Sequence, residues 1–219
     1  MTDPPPGSPG LRTLRHEYES RGLHRADLDP DPLAQFASWY EGAAAEGIYE
    51  PHAVALATVD PDGRPACRYV LLRGVDARGF QFFTRYTSAK ARELEASGHA
   101  ALTWGWLDLH RSVRATGAVQ RLPEAESDAY FAGRPHGSQI AAWASPQSEV
   151  LTGRDVLERR VAEAEARFAG GPVPRPADWG GYLLVPDQIE FWQGRRNRLH
   201  DRLRYRRHDG GWIVERLAP

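Results

Sequence analysis

Between Ala53 and Thr84 three apolar segments, each too short for a helix, follow one another with only turn residues between them. Ala53 to Val59 is a run of Val, Ala and Leu closed by Asp60-Pro61-Asp62-Gly63, which is strong turn chemistry. Cys67 to Arg73 follows, and Val75-Asp76-Ala77-Arg78-Gly79 turns the chain into Phe80 to Thr84. Three such segments within about 32 residues predict a meander of strands. Ala100 to Leu107 and Ser112 to Leu122 continue the pattern, and it returns near the end at 182–185, 188–192, 202–207 and 212–216. Asp209-Gly210-Gly211 makes a hairpin turn between the last two. So many short strands expose unpaired edges, and closure into a barrel removes them.

The helical text does not alternate with the strands, which argues against a doubly wound parallel sheet. Asp29 to Ile48 carries Leu33, Phe36, Trp39, Tyr40 and Ala43 at helical spacing, with Pro32 near its start. Ser88 to Ser97 is a second helix with Ser88 as N-cap. Helical text then fills Pro123 to Phe168, interrupted near Arg134-Pro135 and Ser145-Pro146, before a proline-rich loop at 172–179. Leu11 to Arg25 is charged and weakly helical. The expectation is an α+β fold: a mostly antiparallel barrel of six or more strands with peripheral helices. No internal repeat or compositional break divides the chain, so residues 11–219 read as a single domain. Residues 1–10, with four prolines and two glycines, read as a disordered tail.

Composition removes several function classes. The 28 basic and 29 acidic residues nearly cancel, which gives no global reason to expect nucleic acid or an anionic membrane as partner. Mean hydropathy is −0.57, and no run approaches the roughly 18 apolar residues of a membrane span. The N-terminus shows no basic region followed by an apolar one, so a cytoplasmic location is expected. Cys67 is the only cysteine, and the eight histidines show no metal-ligand spacing, so no metal is expected. Of the basic residues 27 are Arg, and Lys90 is the only Lys. Under that bias a retained Lys points mildly to a site that needs a compact ammonium.

The familiar nucleotide and hydrolase motifs are absent, so a bound phosphate would be held by side chains on a sheet rather than by a glycine loop. Phe83-Thr84-Arg85-Tyr86-Thr87-Ser88-Ala89-Lys90 ends a strand in hydroxyl residues at a helix N-terminus. Hydroxyls, orphan N–H groups and an ammonium together suit a phosphate; a capped helix with one surface Lys is an equal reading. In Arg68-Tyr69-Val70-Leu71-Leu72-Arg73 the two arginines point to opposite faces of a strand unless a bulge intervenes, and an edge strand with solvated arginines would look the same. Tyr130, Arg134 and Ser138, spaced four apart, share a face if they lie on one helix. A phenol, a guanidinium and a hydroxyl in line would clamp a phosphate. In 189–202, Trp192 ends an apolar strand and is able to cover an aromatic ligand, while Arg198 and His200 sit two apart. An Arg-rich solvated loop touching single-stranded nucleic acid is the competing reading.

These segments together resemble the pyridoxamine/pyridoxine 5′-phosphate oxidase family. IEFWQGRRNRLHDR, residues 189 to 202, looks like that family's C-terminal signature. LRHEY from Leu14, RYVLLR, FFTRYTSAK, YFAGRPHGSQIAAWAS, PQS and the terminal ERLAP follow in the family's order.

The resemblance implies a split β-barrel, assembled as a homodimer with FMN at the subunit interface. It implies a flavin site from Arg68, Tyr69, Val70, Leu71, Leu72 and Arg73, with Phe83 and Thr84 beside it and Lys90 at the FMN phosphate. Ser112, Gln147, Ser148, Trp192 and Arg202 complete that site. Tyr130, Arg134, Ser138 and Arg73 would grip the substrate phosphate, while Arg198 and His200 would hold the pyridine ring and carry catalysis. Arg15 and Tyr18 would close over the site.

The implied reaction oxidises pyridoxine or pyridoxamine 5′-phosphate to pyridoxal 5′-phosphate. A hydride passes to FMN, and dioxygen then yields hydrogen peroxide. The chain departs from the family at Arg73, where Lys is usual, at Ser112, where Gln is usual, and at Ala89, where some relatives have Arg. A related flavin oxidase acting on another aromatic, such as a phenazine precursor, and a non-catalytic FMN or pyridoxal-phosphate carrier are the alternatives.

Overall fold

The computed structural model describes Tyr18 and residues 22–219. The tail read at 1–10 and Arg15 lie outside the described residues, as does most of the helical reading of 11–25. Where that reading is described, residues 22–24 are irregular and Arg25–Asp27 forms one 3-10 turn.

Helix α1 (Pro32–Ala45) begins where Asp31 accepts the Leu33 N–H and Pro32 occupies the first turn. It buries Leu33, Phe36, Trp39 and Ala43. Strands β1 (Ala53–Val59), β2 (Pro65–Leu71), β3 (Gly74–Asp76) and β4 (Gly79–Arg85) follow. Helix α2 (Ala89–Ser97) starts with the Ser88 hydroxyl accepting the Ala91 N–H and ends at left-handed Gly98. Then come β5 (His99–Trp106), β6 (Arg111–Arg121), α3 (Glu124–Ala132), α4 (His136–Ala144) and α5 (Arg154–Arg167). β7 (Trp179–Gln193), β8 (Asp201–His208) and β9 (Gly211–Arg216) complete the chain.

All pairings are antiparallel, in the order β2-β1-β5-β6-β7-β4-β3, with β8 and β9 branching from β7. The two ends of that path are consecutive in sequence. Leu72 N–H donates to His52 O, extending the β1–β2 ladder, and Arg73 N–H donates to Gln81 O, extending β3–β4, so the chain passes from one edge of the curled sheet to the other within two residues. The fold is α+β, a split β-barrel with peripheral helices, as the strand spacing and the resemblance lead one to expect.

Two strand assignments differ from the sequence reading. Residues 75–79 read as a turn, yet Gly74–Asp76 forms a short strand and only the tip turns. Residues 182–185 and 188–192 read as two strands, yet β7 runs unbroken through Pro186. Pro186 lacks an N–H, and it sits at a fork where that loss is tolerated. One edge of β7 pairs β4 up to Leu184 and β8 from Gln188, leaving Pro186 between them. On the other edge the register with β6 slips between Thr116 and Gly117, a bulge that absorbs Asp187. Gly117 is required there, because a Cβ would collide with Val185 O.

The barrel core is aromatic. Phe36 from α1 packs edge-on to Phe80 at 4.9 Å and against Trp104 at 4.6 Å, and Trp39 packs edge-on to Phe191 at 5.1 Å. A second buried cluster joins Phe131, Ile140, Ala144, Ala164 and Trp179, seating α3, α4 and α5 against the start of β7. No helix among the described residues is long and apolar enough to cross a membrane.

Candidate functional site

A cavity of about 670 Å³ opens where β2 and β4 meet the break between α3 and α4. Tyr69, Val70 and Leu71 come from β2, Phe83 and Thr84 from β4, Lys90 from α2, and Trp179 from the start of β7. Arg73, Tyr130, Arg134, Ser138 and Gln147 complete it, and among the described residues no Asp or Glu lines it. Three cations facing a space without a carboxylate define an anion site.

One pole is built around Lys90. Alternation along β4 turns Thr84 toward the first turn of α2, where Lys90 Nζ lies 3.3 Å from Thr84 Oγ1 and 3.2 Å from Gln147 Oε1. Thr84 Oγ1 donates to the same Gln147 oxygen at 2.9 Å. Lys90 is 9% exposed and, among the described residues, forms no ion pair. Burial lowers its pKa, the nearby Arg68 lowers it further, and Glu93 partly offsets both.

The other pole is Arg134. Its Nη1 is buried with no hydrogen-bond partner, and its guanidinium lies 4.6 Å from the Trp179 ring and 5.4 Å from Phe131. Burial lowers its pKa; Tyr130 opposes this and Arg73 adds to it. Arg134 is half-buried overall, but this one nitrogen is shut off from solvent, and a buried donor is normally hydrogen-bonded. The Tyr130 ring stacks on Phe83 at 3.8 Å and 12°, giving the cavity an aromatic wall between its poles.

Tyr130, Arg134 and Ser138 do share the cavity, but not as one helical face. α3 ends at Ala132, Pro135 precedes α4, and the three side chains converge because the chain breaks between them. The Pro135 that argued against a continuous helix is what turns Ser138 inward.

The structure places the remaining expected residues elsewhere. Arg68 pairs with Glu93 at 2.7 Å, with Thr58 hydrogen-bonded to both, and does not line the cavity. Leu72 is in the barrel core. Ser148, at φ +76°, accepts the Ala89 N–H at the start of α2 at 3.1 Å.

Ser112, Trp192 and Arg202 form a row across β6, β7 and β8. Arg202 Nε is held at 2.7 Å by buried Glu190, which also takes Arg114 at 2.6 Å. Trp192 lies 4.6 Å from His200, and the Tyr18 ring sits over His110 at 4.2 Å and near His200 at 5.7 Å. The His200 ring accepts the Arg195 N–H on Nδ1 at 3.1 Å, so the neutral ring carries its proton on Nε2. Burial lowers its pKa and Arg198 adds to that. Asn197 and Arg198 are consecutive left-handed residues, which turn this loop sharply. Within one chain this second set does not line the cavity.

Sequence reasoning missed Trp179, which lines the cavity, and Arg85, Glu93, Glu190 and His110, which hold its residues or the second set. Their partners are remote in sequence, and no local period marks them.

Residues 40–168 match the family described as pyridoxamine 5′-phosphate oxidase, and residues 179–219 match the pyridoxine 5′-phosphate oxidase C-terminal dimerisation region. The chain is 56% identical over 209 residues to the pyridoxine/pyridoxamine 5′-phosphate oxidase of Rubrobacter xylanophilus, covering 95% of this chain and 96% of that one. It is 54% identical over 210 residues to pyridoxine/pyridoxamine 5′-phosphate oxidase 1 of Ralstonia nicotianae, covering 95% and 99%. Among solved structures, PhzG from Burkholderia lata 383 in complex with tetrahydrophenazine-1-carboxylic acid superposes with a TM-score of 0.85 at 34% identity, over 91% of this chain and 98% of that one. A pyridoxamine 5′-phosphate oxidase-related, FMN binding protein from Nostoc punctiforme shares the fold, with a TM-score of 0.70 at 20% identity over 88% and 100%.

Proposed function

Because the chain belongs to the pyridoxamine 5′-phosphate oxidase family, we propose that it oxidises pyridoxine 5′-phosphate and pyridoxamine 5′-phosphate to pyridoxal 5′-phosphate, using FMN and dioxygen. The alcohol consumes one O2 and yields one H2O2; the amine consumes a water as well and releases ammonia. The observation that carries this reading is the two-pole cationic cavity with an aromatic wall and an orphaned Arg134 Nη1.

The residues present fit a flavin phosphate at one pole and a substrate phosphate at the other. Lys90, Thr84, Gln147 and Ser148 would hold the FMN phosphate beside the α2 N-terminus, with the 69–71 backbone and Phe83 along the ring system. Arg134, Tyr130, Ser138 and Arg73 would hold the substrate phosphate, which supplies the partner that Arg134 Nη1 lacks. Bound there, the flavin supplies a two-electron acceptor that dioxygen regenerates.

Trp192, Arg202, Ser112, Arg198 and His200 would complete the site from a second copy of the chain, in a homodimer whose active unit spans residues 11–219. The match of residues 179–219 to a dimerisation region supports this assembly, as does the exposure of Tyr69 and Leu107 at 79% each. In that arrangement His200 offers a neutral Nε2–H as donor to the substrate ring, and Arg198 offers a fixed positive charge. Tyr18 packs on this set and would exclude water.

The likeness to PhzG gives a second reading, oxidation of a tricyclic carboxylic acid. With the Lys90 end given to the flavin, the clamp of Tyr130, Arg134, Ser138 and Arg73 at the other end favours a phosphorylated substrate. Turnover of pyridoxine 5′-phosphate compared with unphosphorylated pyridoxine and with a reduced phenazine carboxylate tests the choice. Selective turnover of the phosphate ester supports the proposal, and turnover of the phenazine alone overturns it.

A further inference from the structure

Arg85 ends β4 immediately after Thr84, on the same strand face as Phe83, and its longer side chain reaches the C-terminus of α4 rather than lining the cavity. Its Nη1 donates to Ala142 O at 2.8 Å and Ser145 O at 2.5 Å, and its Nε donates to Asp178 Oδ2 at 2.8 Å. The need for it is written in the backbone. Ala142 O would ordinarily accept the N–H four residues on, but that residue is Pro146, which has none. Arg85 supplies the missing donor, and it places a cation at the negative end of the helix.

The carbonyl that Arg85 grips also governs the Lys90 pole. Ser145 O accepts the Gln147 N–H at 3.0 Å, so the guanidinium fixes the turn from which the Gln147 side chain reaches Lys90 and Thr84. The next residue, Ser148, holds a left-handed φ of +76° and binds the first N–H of α2. That conformation is costly for a non-glycine residue and persists only where its surroundings impose it. On the far side Asp178 O accepts the Tyr86 N–H at 2.6 Å, and Asp178 leads directly into Trp179 of the cavity wall. One planar side chain therefore ties the end of β4, the end of α4 and the entry to β7.

We propose that Arg85 is a positioning residue for the phosphate pole, holding Gln147 and Ser148 against Lys90 and the α2 N-terminus. It thereby sets the preference for a flavin that carries a phosphate over one that does not. This rests on the flavin reading above. A lysine does not replace it, because one ammonium does not span two carbonyls and a carboxylate in this geometry.

The test is to titrate FMN and riboflavin separately into apoprotein, following flavin fluorescence, for the natural chain, Arg85→Ala and Arg85→Lys. Arg85→Ala should lose about tenfold or more in FMN affinity, the worth of one charge-assisted hydrogen bond, with riboflavin affinity changed less than about twofold. Arg85→Lys should lose part of the same preference. A purely structural role lowers both affinities in parallel, so an unchanged FMN-to-riboflavin ratio in Arg85→Ala overturns the inference. Should Arg85→Ala not fold, Arg85→Lys decides alone: a reduced ratio supports the inference and an unchanged one overturns it. A natural chain with no preference for FMN overturns the flavin reading and this inference with it.

Discussion

The guanidinium of Arg134 lies 4.6 Å from the Trp179 ring, with its Nη1 buried and unpaired, in a cavity whose other charged side chains, among the described residues, are Arg73 and Lys90. In the proposed site a substrate phosphate would supply that missing partner. Arg134→Met should raise KM for both phosphorylated substrates and lower kcat/KM by roughly 10- to 100-fold, the loss of a charged hydrogen-bond partner. The same substitution should leave thermal stability of the ligand-free protein unchanged or raise it by on the order of 1 kcal/mol, because it removes an unpaired buried donor. Steady-state kinetics and a thermal melt check the two halves; a large loss of stability would contradict the second.

On the proposed reading Lys90 meets the FMN phosphate. Lys90→Met keeps most of its buried stem but removes the ammonium, and should weaken FMN binding by about 10- to 100-fold. Riboflavin should bind Lys90→Met nearly as it binds the natural chain. Parallel flavin titrations check this.

His200 should titrate below its ordinary 6.5, because burial and then Arg198 disfavour the imidazolium. The unfolded chain therefore binds this proton first. Its contribution to stability is present above pH 6.5 and is lost as pH falls through the folded value. An NMR titration of the His200 ring should find its midpoint under 6.5, and Arg198→Gln should raise that midpoint. A midpoint above 6.5 would contradict the assigned environment.

Phe36, 1% exposed, fastens α1 to the barrel through Phe80 and Trp104. Phe36→Ala should cost about 3–5 kcal/mol in a denaturant melt, the usual penalty for emptying such a site.

What the sequence made legible was local. The β1 bounds, the Ser88 cap and the Asp209-Gly210-Gly211 turn depend on neighbours in the chain, and each is found where the residues place it. Pro186 misled, because a proline inside an apolar run reads as a strand break. Only the pairing of β7 with β4, β6 and β8 reveals a fork that accommodates it.

The same division holds at the site. Tyr130, Arg134 and Ser138 were identifiable by residue type and spacing, although a helix break brings them together rather than helical periodicity. Arg68 looked like a solvated edge residue or a flavin contact, and its pairing with Glu93, 25 positions away, has no local signature. The row of Ser112, Trp192 and Arg202 exists only once the register of three strands is fixed.

The most direct measurement is simultaneous oxygen uptake and pyridoxal 5′-phosphate formation by FMN-reconstituted protein given pyridoxine 5′-phosphate or pyridoxamine 5′-phosphate. The account predicts that aldehyde appears in step with oxygen consumed and with peroxide formed, for at least one of the two substrates. Stoichiometric FMN binding with no turnover of either phosphate ester would contradict it.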